Sequence, residues 1–386
     1  MFPLYTEGPR ESSVYFFEER KGKMRKLASI QKIEWVRPIE GRDRIELAGV
    51  LGYSVIIRKD EFAPGDLCVF CEIDSVLPEK PEFEFLRPKK FRIKTMKLGS
   101  AYSQGIVFGL DILPRKKSSE PYVLDEDVTD VIGVTQYTPT MDREPDELVA
   151  KQFKKYPKWL MRFGWFRKLV GIGKPKKSGF PSFIKRTDEE RIQGNPAKLQ
   201  DKREWVASEK CDGSSGTWAL LRHKRHWPFN DDFEYIVCSR NLRLKVKDNS
   251  SYWKVSDKYN IEAALRNMIG NRDWIAIQGE CVGPKIQGNK YKLTDYDMYV
   301  FNLIYPTGRL GSLKAKSIIE NKGMNFVPIV NEHYVLPDTI EEALADATGP
   351  SALNPDTLRE GFVIRSQDGQ ESWKIVSPEF LLKYNA

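Results

Sequence analysis

Short apolar runs, cut at close intervals by turn residues, constrain the first third of this chain more than any other feature. "LASIQKIEWV" (27–36) and "RIELAGVLGYSVIIRK" (44–59) have the composition of strands, the second folding back as a hairpin around Gly49 to Gly52. A Pro64-Gly65-Asp66 turn leads into "LCVFCEID", and "YSQGIVFGL" (102–110) is the last clear strand before Pro114 and the polar "RKKSSEP". Five or so short strands in about a hundred residues suit a small barrel. An oligonucleotide-binding (OB) barrel is the most economical choice, although periodicity alone does not exclude another small barrel.

From Phe180 the pattern changes to strands alternating with helices. "SDKYNIEAALRNMIG" reads as a helix ended by Gly270, "SLKAKSIIENKG" starts at Ser312 as N-cap, and "DTIEEALADATG" starts at Asp338 as N-cap. Strands such as "DWIAIQGECVG", "DMYVFNLIYP", "EGFVIRSQ" and "ESWKIVS" lie between and after them. The expected class is α+β. The expected organisation is a barrel domain over 1–120, a linker with a basic aromatic segment over 121–179, and a second domain over 180–386.

Charge and rare residues narrow the chemistry. The 386-residue chain carries a formal net charge of +8, which suits a polyanionic partner. From Lys151 to Lys177 there are ten Lys or Arg and no acid, interleaved with Phe153, Tyr156, Trp159, Phe163, Trp165 and Phe166. Such a stretch can track phosphates and stack on bases, with Lys151, Lys154, Lys155, Lys158 and Arg162 as the RNA-binding residues. The same pattern also describes an amphipathic helix with its aromatics turned inward. Five cysteines make no disulfide framework, and the Cys68/Cys71 pair lies in an apolar run where cysteine packs as a small hydrophobe. Three scattered histidines exclude histidine-centred catalysis. Without an apolar run of membrane length or a secretory leader, a cytoplasmic or nuclear monomer is expected.

The chemistry is carried by "WVASEKCDGSSGTW" (205–218), in which a strand runs into Lys210-Cys211-Asp212-Gly213. Alone, that K-x-D-G is a turn with a lysine beside it. Downstream, in order, come Ser239-Arg240-Asn241, Gln278-Gly279-Glu280, an apolar strand with Phe301, Glu360-Gly361-Phe362-Val363-Ile364, and Lys374 on the last strand. This series resembles motifs I, Ia, III, IIIa, IV and V of the covalent nucleotidyltransferases, the superfamily of ATP-dependent DNA ligases, RNA ligases and capping enzymes. The barrel preceding the core, and "FPSFIKRTDEERIQ" (180–193), resemble the Deinococcus-type RNA ligases, the RNA ligase 5 family. The chain stops at Ala386, soon after Lys374, where DNA ligases and capping enzymes usually continue into an OB domain.

The resemblance implies a ligase-type nucleotidyltransferase domain of antiparallel sheets and helices. It further implies ATP-dependent sealing of 5′-phosphate and 3′-OH ends, typically at nicks with RNA on the 3′-OH side, so that RNA or a nicked RNA-containing duplex is the partner. Lys210 would be the nucleophile that takes AMP from ATP, its pKa lowered by burial beside cations and a metal. Arg240 and Lys374 would hold phosphates or ribose. Asp212, Glu280 and Glu360 would bind Mg2+ or Mn2+ or the ribose. Glu209 would lie near the adenine amino group, Phe301 would stack on the base, and Gly213 would shape the nucleotide turn. Where many relatives have a second motif V lysine this chain has Val376, leaving Lys374 or Lys383 to act alone. The other readings are an inactive nucleic-acid-binding homologue and a capping-type guanylyltransferase.

Overall fold

The N-terminal strands form because short apolar runs stand between turn signals, and they then close. In the computed structural model, which describes residues 26–99, 101–116, 120–137, 179–186, 188–225, 230–244 and 247–384, the first five main strands are β1 (Ala28–Ile39), β2 (Arg42–Val50), β3 (Tyr53–Arg58), β4 (Leu67–Cys71) and β5 (Ile106–Phe108). Their order is β3-β2-β1-β4-β5, all antiparallel. Closure comes from the residues just before β5: Gln104 N–H donates to Ser54 O at 2.8 Å, and Ile56 N–H donates to Ser103 Oγ at 3.0 Å. Ile33, Val50, Val55, Ile57 and Phe70 fill the interior. Cys68 and Cys71 are buried on β4, and burial pushes the Cys68 thiol up to about 12, so both pack as hydrophobes.

A second buried cluster, on the other face of β1 and β4, extends past the expected boundary at 120 and takes in Val128, Ile132 and Val134. A later segment enters it too. Val376, Phe380 and Leu381 share one buried cluster with Leu27, Ile30, Val69 and Phe83. The last helix, Pro378–Tyr384, is therefore as much a part of the barrel domain as of the second one.

The second domain is built on two sheets. One contains β6 (Glu190–Arg191), β7 (Glu204–Glu209), β14 (Ile329–Val335), β15 (Gly361–Ser366) and β16 (Ser372–Val376) in the order β6-β16-β15-β7-β14. The other contains β8 (Ser214–His223), β9 (Asp232–Ser239), β10 (Trp274–Val282), β11 (Asp297–Tyr305) and β12 (Gly308–Arg309) in the order β9-β8-β10-β11-β12, with β13 (Asn325–Phe326) parallel to β11. Trp218, Leu220, Ile275, Ile277, Val300 and Leu303 are wholly buried, packed with helices α1 (Ser251–Lys258), α2 (Ile261–Ile269) and α3 (Ser312–Glu320).

Three helix boundaries differ from expectation for local reasons. The single helix expected over 256–270 is broken at Asn260, whose left-handed φ of 45° separates α1 from α2. Ser312 is the first helical residue, with Gly311 at the cap. Asp338 does not cap α4 (Ile340–Ala347); Thr339 does, through a reciprocal capping box with Glu342, while Asp338 pairs with Lys202 at 2.8 Å.

Candidate active site

β7 is the middle of the site because it lies between β14 and β15 and ends where both have interior residues to offer. Lys210 N–H continues the ladder, donating to Gly361 O at 2.9 Å, and Glu209 N–H donates to Pro328 O at 2.8 Å. Side chains alternate along a strand, so these consecutive residues point to opposite sides. The Lys210 ammonium meets the Glu360 carboxylate at 2.6 Å, with the two side chains 27% and 15% exposed. Glu209, only 1% exposed, accepts from Ser351 Oγ at 2.5 Å and from Ala352 N–H at 2.7 Å. Its carboxylate is thus engaged inside the protein.

Two glycines are required by close approach. A Cβ on Gly213 would stand 2.3 Å from Cys281 O and 2.9 Å from Glu280 Cγ, so the turn after the lysine can lie on the Glu280 strand only without a side chain. Gly361, with φ of 149°, would place a Cβ 2.1 Å from Ile375 O. These contacts are the physical content of the K-x-D-G and E-G-F patterns.

The electrostatics depart from expectation in one respect. Burial lowers the Lys210 pKa, but the touching Glu360 carboxylate, then Glu280 and Asp212, outweigh it and hold the ammonium above the ordinary lysine range. The neighbours of this lysine are carboxylates rather than the cations expected. Burial, aggravated by Glu360 and Asp212 and relieved by Lys210, pushes Glu280 up to about 8. Asp212 is pushed up to about 6 by burial and then Glu360, against the pull of Lys290.

The motif V and motif Ia cations are brought together by a residue to which no role was given. Lys374, on β16 opposite Val363, donates to Asp188 Oδ1 at 3.2 Å, and Arg240 lies 3.7 Å from the same oxygen. Next to it, Glu189 faces the buried Arg365 at 3.4 Å and Arg309 at 3.8 Å. Phe301, half-buried on β11, has its ring centroid 5.8 Å from the Arg365 guanidinium, whose pKa burial lowers to about 10. Asp188 and Glu189 lie in the quoted "TDEERIQ" stretch, which was the available signal.

As a metal set, Asp212, Glu280 and Glu360 are not assembled by the protein alone. Among the described residues no three His, Cys, Asp or Glu side chains converge closely enough to hold an ion. The reason is that Glu360 pairs with Lys210 and Asp212 with Lys290. Lys151, Lys154, Lys155, Lys158 and Arg162 lie outside the described residues. No helix among the described residues is long and apolar enough to cross a membrane.

Comparison with known proteins agrees with this layout. Residues 27–110 match an OB-fold domain model and residues 203–384 match the RNA ligase family model, so an OB-fold domain precedes an RNA ligase domain. The chain is similar to a solved structure of Naegleria gruberi RNA ligase with pyrophosphate, at 28% identity over 94% of this chain and 99% of that one, with a TM-score of 0.74. It is equally similar to a variant of that ligase with AMP and manganese (28%, 93% and 99%, TM-score 0.73) and to another with ATP and manganese (28%, 94% and 98%, TM-score 0.73). Among curated proteins, none matches.

Proposed function

We propose that this chain, an OB-fold domain followed by an RNA ligase domain, is an ATP-dependent RNA ligase that works through a lysyl-AMP on Lys210. The observation that carries the reading is the placement of Lys210. It closes a buried strand, is fixed by its backbone to Gly361, and is the one amine in contact with Glu360 among the described residues. A nucleophile held on a rigid element loses little freedom on the way to in-line attack. The likeness to an RNA ligase over nearly the whole chain supports the same reading.

In the first step the Lys210 Nζ lone pair forms a bond to the α-phosphorus of ATP and the α–β P–O bond breaks, releasing pyrophosphate. The ammonium must first shed a proton, and Glu360 is the acceptor in contact with it. Lys374 and Arg240, which meet at Asp188, would neutralise charge on the phosphates. AMP then passes to the 5′-phosphate of the RNA, the P–N bond breaking and Lys210 recovering its proton. The 3′-OH next attacks that activated phosphate, sealing the strand and releasing AMP.

Glu280 and Glu360 would hold a magnesium or manganese ion through their hard carboxylate oxygens. Such an ion would supply charge neutralisation at the transferred phosphoryl group. Phe301 is the proposed base-stacking ring, and sealing at nicks with RNA on the 3′-OH side, as in the Deinococcus-type enzymes, is the proposed substrate preference.

The test is covalent labelling of protein stripped of bound AMP. Incubation with α-labelled ATP and a divalent cation is expected to leave label on the denatured protein, and Lys210→Ala to abolish it. Label from GTP would point instead to a capping-type enzyme. No label from either nucleotide would leave a nucleic-acid-binding protein on this fold.

A further inference from the structure

The loop after β10 is bent in a way that calls for an explanation. Between Gly283 and Lys292, four residues other than glycine have left-handed φ: Lys285 at 65°, Gln287 at 44°, Asn289 at 48° and Lys292 at 54°. Such conformations persist only where surrounding contacts hold them, and they gather at functional sites. What this loop delivers is Lys290 and Tyr291. The Tyr291 hydroxyl accepts from Asp212 N–H at 2.8 Å, and the Lys290 ammonium donates to the Asp212 carboxylate and to Gln287 O, the latter at 2.8 Å. Both the backbone and the side chain of Asp212 are therefore gripped by two consecutive residues from a segment nearly eighty positions away.

Lys290 is itself fixed. Its ammonium stands 5.0 Å from the ring centroid of Tyr384 and 5.5 Å from that of Phe380, and its backbone O accepts from Asn354 Nδ2 at 3.0 Å. The Lys290 and Asp212 side chains are each 14% exposed. The Asp212 carboxylate is repelled by Glu360 and in turn repels Glu280. Lys290 is the cation that pairs with the Asp212 carboxylate, while Lys210 pairs with Glu360.

We propose that Lys290 is a positioning residue for lysyl-AMP formation: it holds the Asp212 carboxylate, and with Tyr291 the turn that carries Lys210. This rests on the ligase reading above. Lys290 touches neither the nucleophile nor the proposed phosphate-binding cations; it acts through Asp212.

The experiment is a double-mutant cycle on the single-turnover rate of lysyl-AMP formation, with wild type, Lys290→Met, Asp212→Asn and the double variant labelled side by side. Lys290→Met is expected to slow the step 10- to 100-fold with the KM for ATP within threefold of wild type. Lys290→Arg, which keeps the cation, is expected to recover most of the rate. In the Asp212→Asn background, Lys290→Met is expected to cost nothing further, an outcome that a general loosening of the fold does not produce. Wild-type labelling with an unimpaired Lys290→Met, or with losses that multiply in the double variant, overturns the proposal and leaves the ligase reading intact. The same holds if Lys290→Arg is as slow as Lys290→Met while melting at the wild-type temperature. A wild-type protein that takes no label overturns both.

Discussion

Replacing Glu280 with glutamine tests the electrostatics of the site without any nucleotide. In the folded protein, burial and the neighbouring carboxylates raise this carboxyl from an ordinary 4.5 to about 8, whereas in the unfolded chain it titrates normally. Between those two values the folded state holds a proton that the unfolded state has released. The contribution of Glu280 to stability is therefore fully present below pH 4.5 and is lost as pH rises towards 8. At 1.36 kcal/mol per unit the whole interval corresponds to roughly 5 kcal/mol. Glu280 is partly open to solvent, which screens its neighbours, so about half of that is expected. Glutamine has the shape of the protonated acid and no ionised form, so Glu280→Gln should match wild type near pH 5 and exceed it by about 2–3 kcal/mol at pH 9. Urea unfolding of both proteins from pH 5 to 9, free of nucleotide and divalent cation, measures this directly. Parallel stability curves across that range would refute the account, because they would mean that Glu280 ionises in the folded protein as it does in water.

Two further consequences concern residues outside the recognised motifs. Phe380, 1% exposed in the cluster that joins the last helix to the barrel, should cost about 3–5 kcal/mol when cut to alanine. For a chain of this length that is a fall in melting temperature of about 4–6 °C, read by calorimetry; an unchanged melt would refute the shared core. Asp188→Ala removes the carboxylate on which Lys374 and Arg240 meet. Losing a hydrogen bond to a charged group, about 1.5–3 kcal/mol, should slow lysyl-AMP formation by roughly 10- to 100-fold. Wild-type rates in Asp188→Ala would show that those cations are placed by other contacts.

What could be read from the residues was what depends on near neighbours in sequence. The barrel strands are fixed by short apolar runs and by turns such as Pro64-Gly65-Asp66, and β10, β11, β15 and β16 fall within a residue or two of their apolar runs. The Lys210–Glu360 pair was not read, because the motif order names both residues without saying that they touch. Asp188 and Lys290 escaped because each looks like an ordinary surface charge until the fold brings it to a partner far away along the chain. The Asp338–Thr339 choice was legible and was read one residue early: Glu342 stands three places after Thr339, the spacing of a capping box. Phe380 and Leu381 mark an apolar helix face, but nothing local says which of two cores receives it.

The lysine at the end of β7 stands where it does because its neighbours leave it no alternative. Glu209 and Lys210 leave the strand on opposite sides, and both are fastened to the single segment from Ser351 to Gly361. Burial raises the Glu209 carboxyl, and Ser351 and Ala352 offset part of that cost; removing either donor would leave a polar group buried without a partner, which costs about 1–3 kcal/mol. The interior pairing of Glu209 thus ties the segment to the strand from behind while Glu360 meets Lys210 in front. Gly361 lets that segment pass against β16, the strand that bears Lys374. The proposed nucleophile, proton acceptor and phosphate-binding lysine are in this way joined by one run of backbone contacts. The Lys210 and Lys374 backbones are thereby held in one sheet, and a nucleophile on a rigid element is what in-line attack on a phosphorus atom requires.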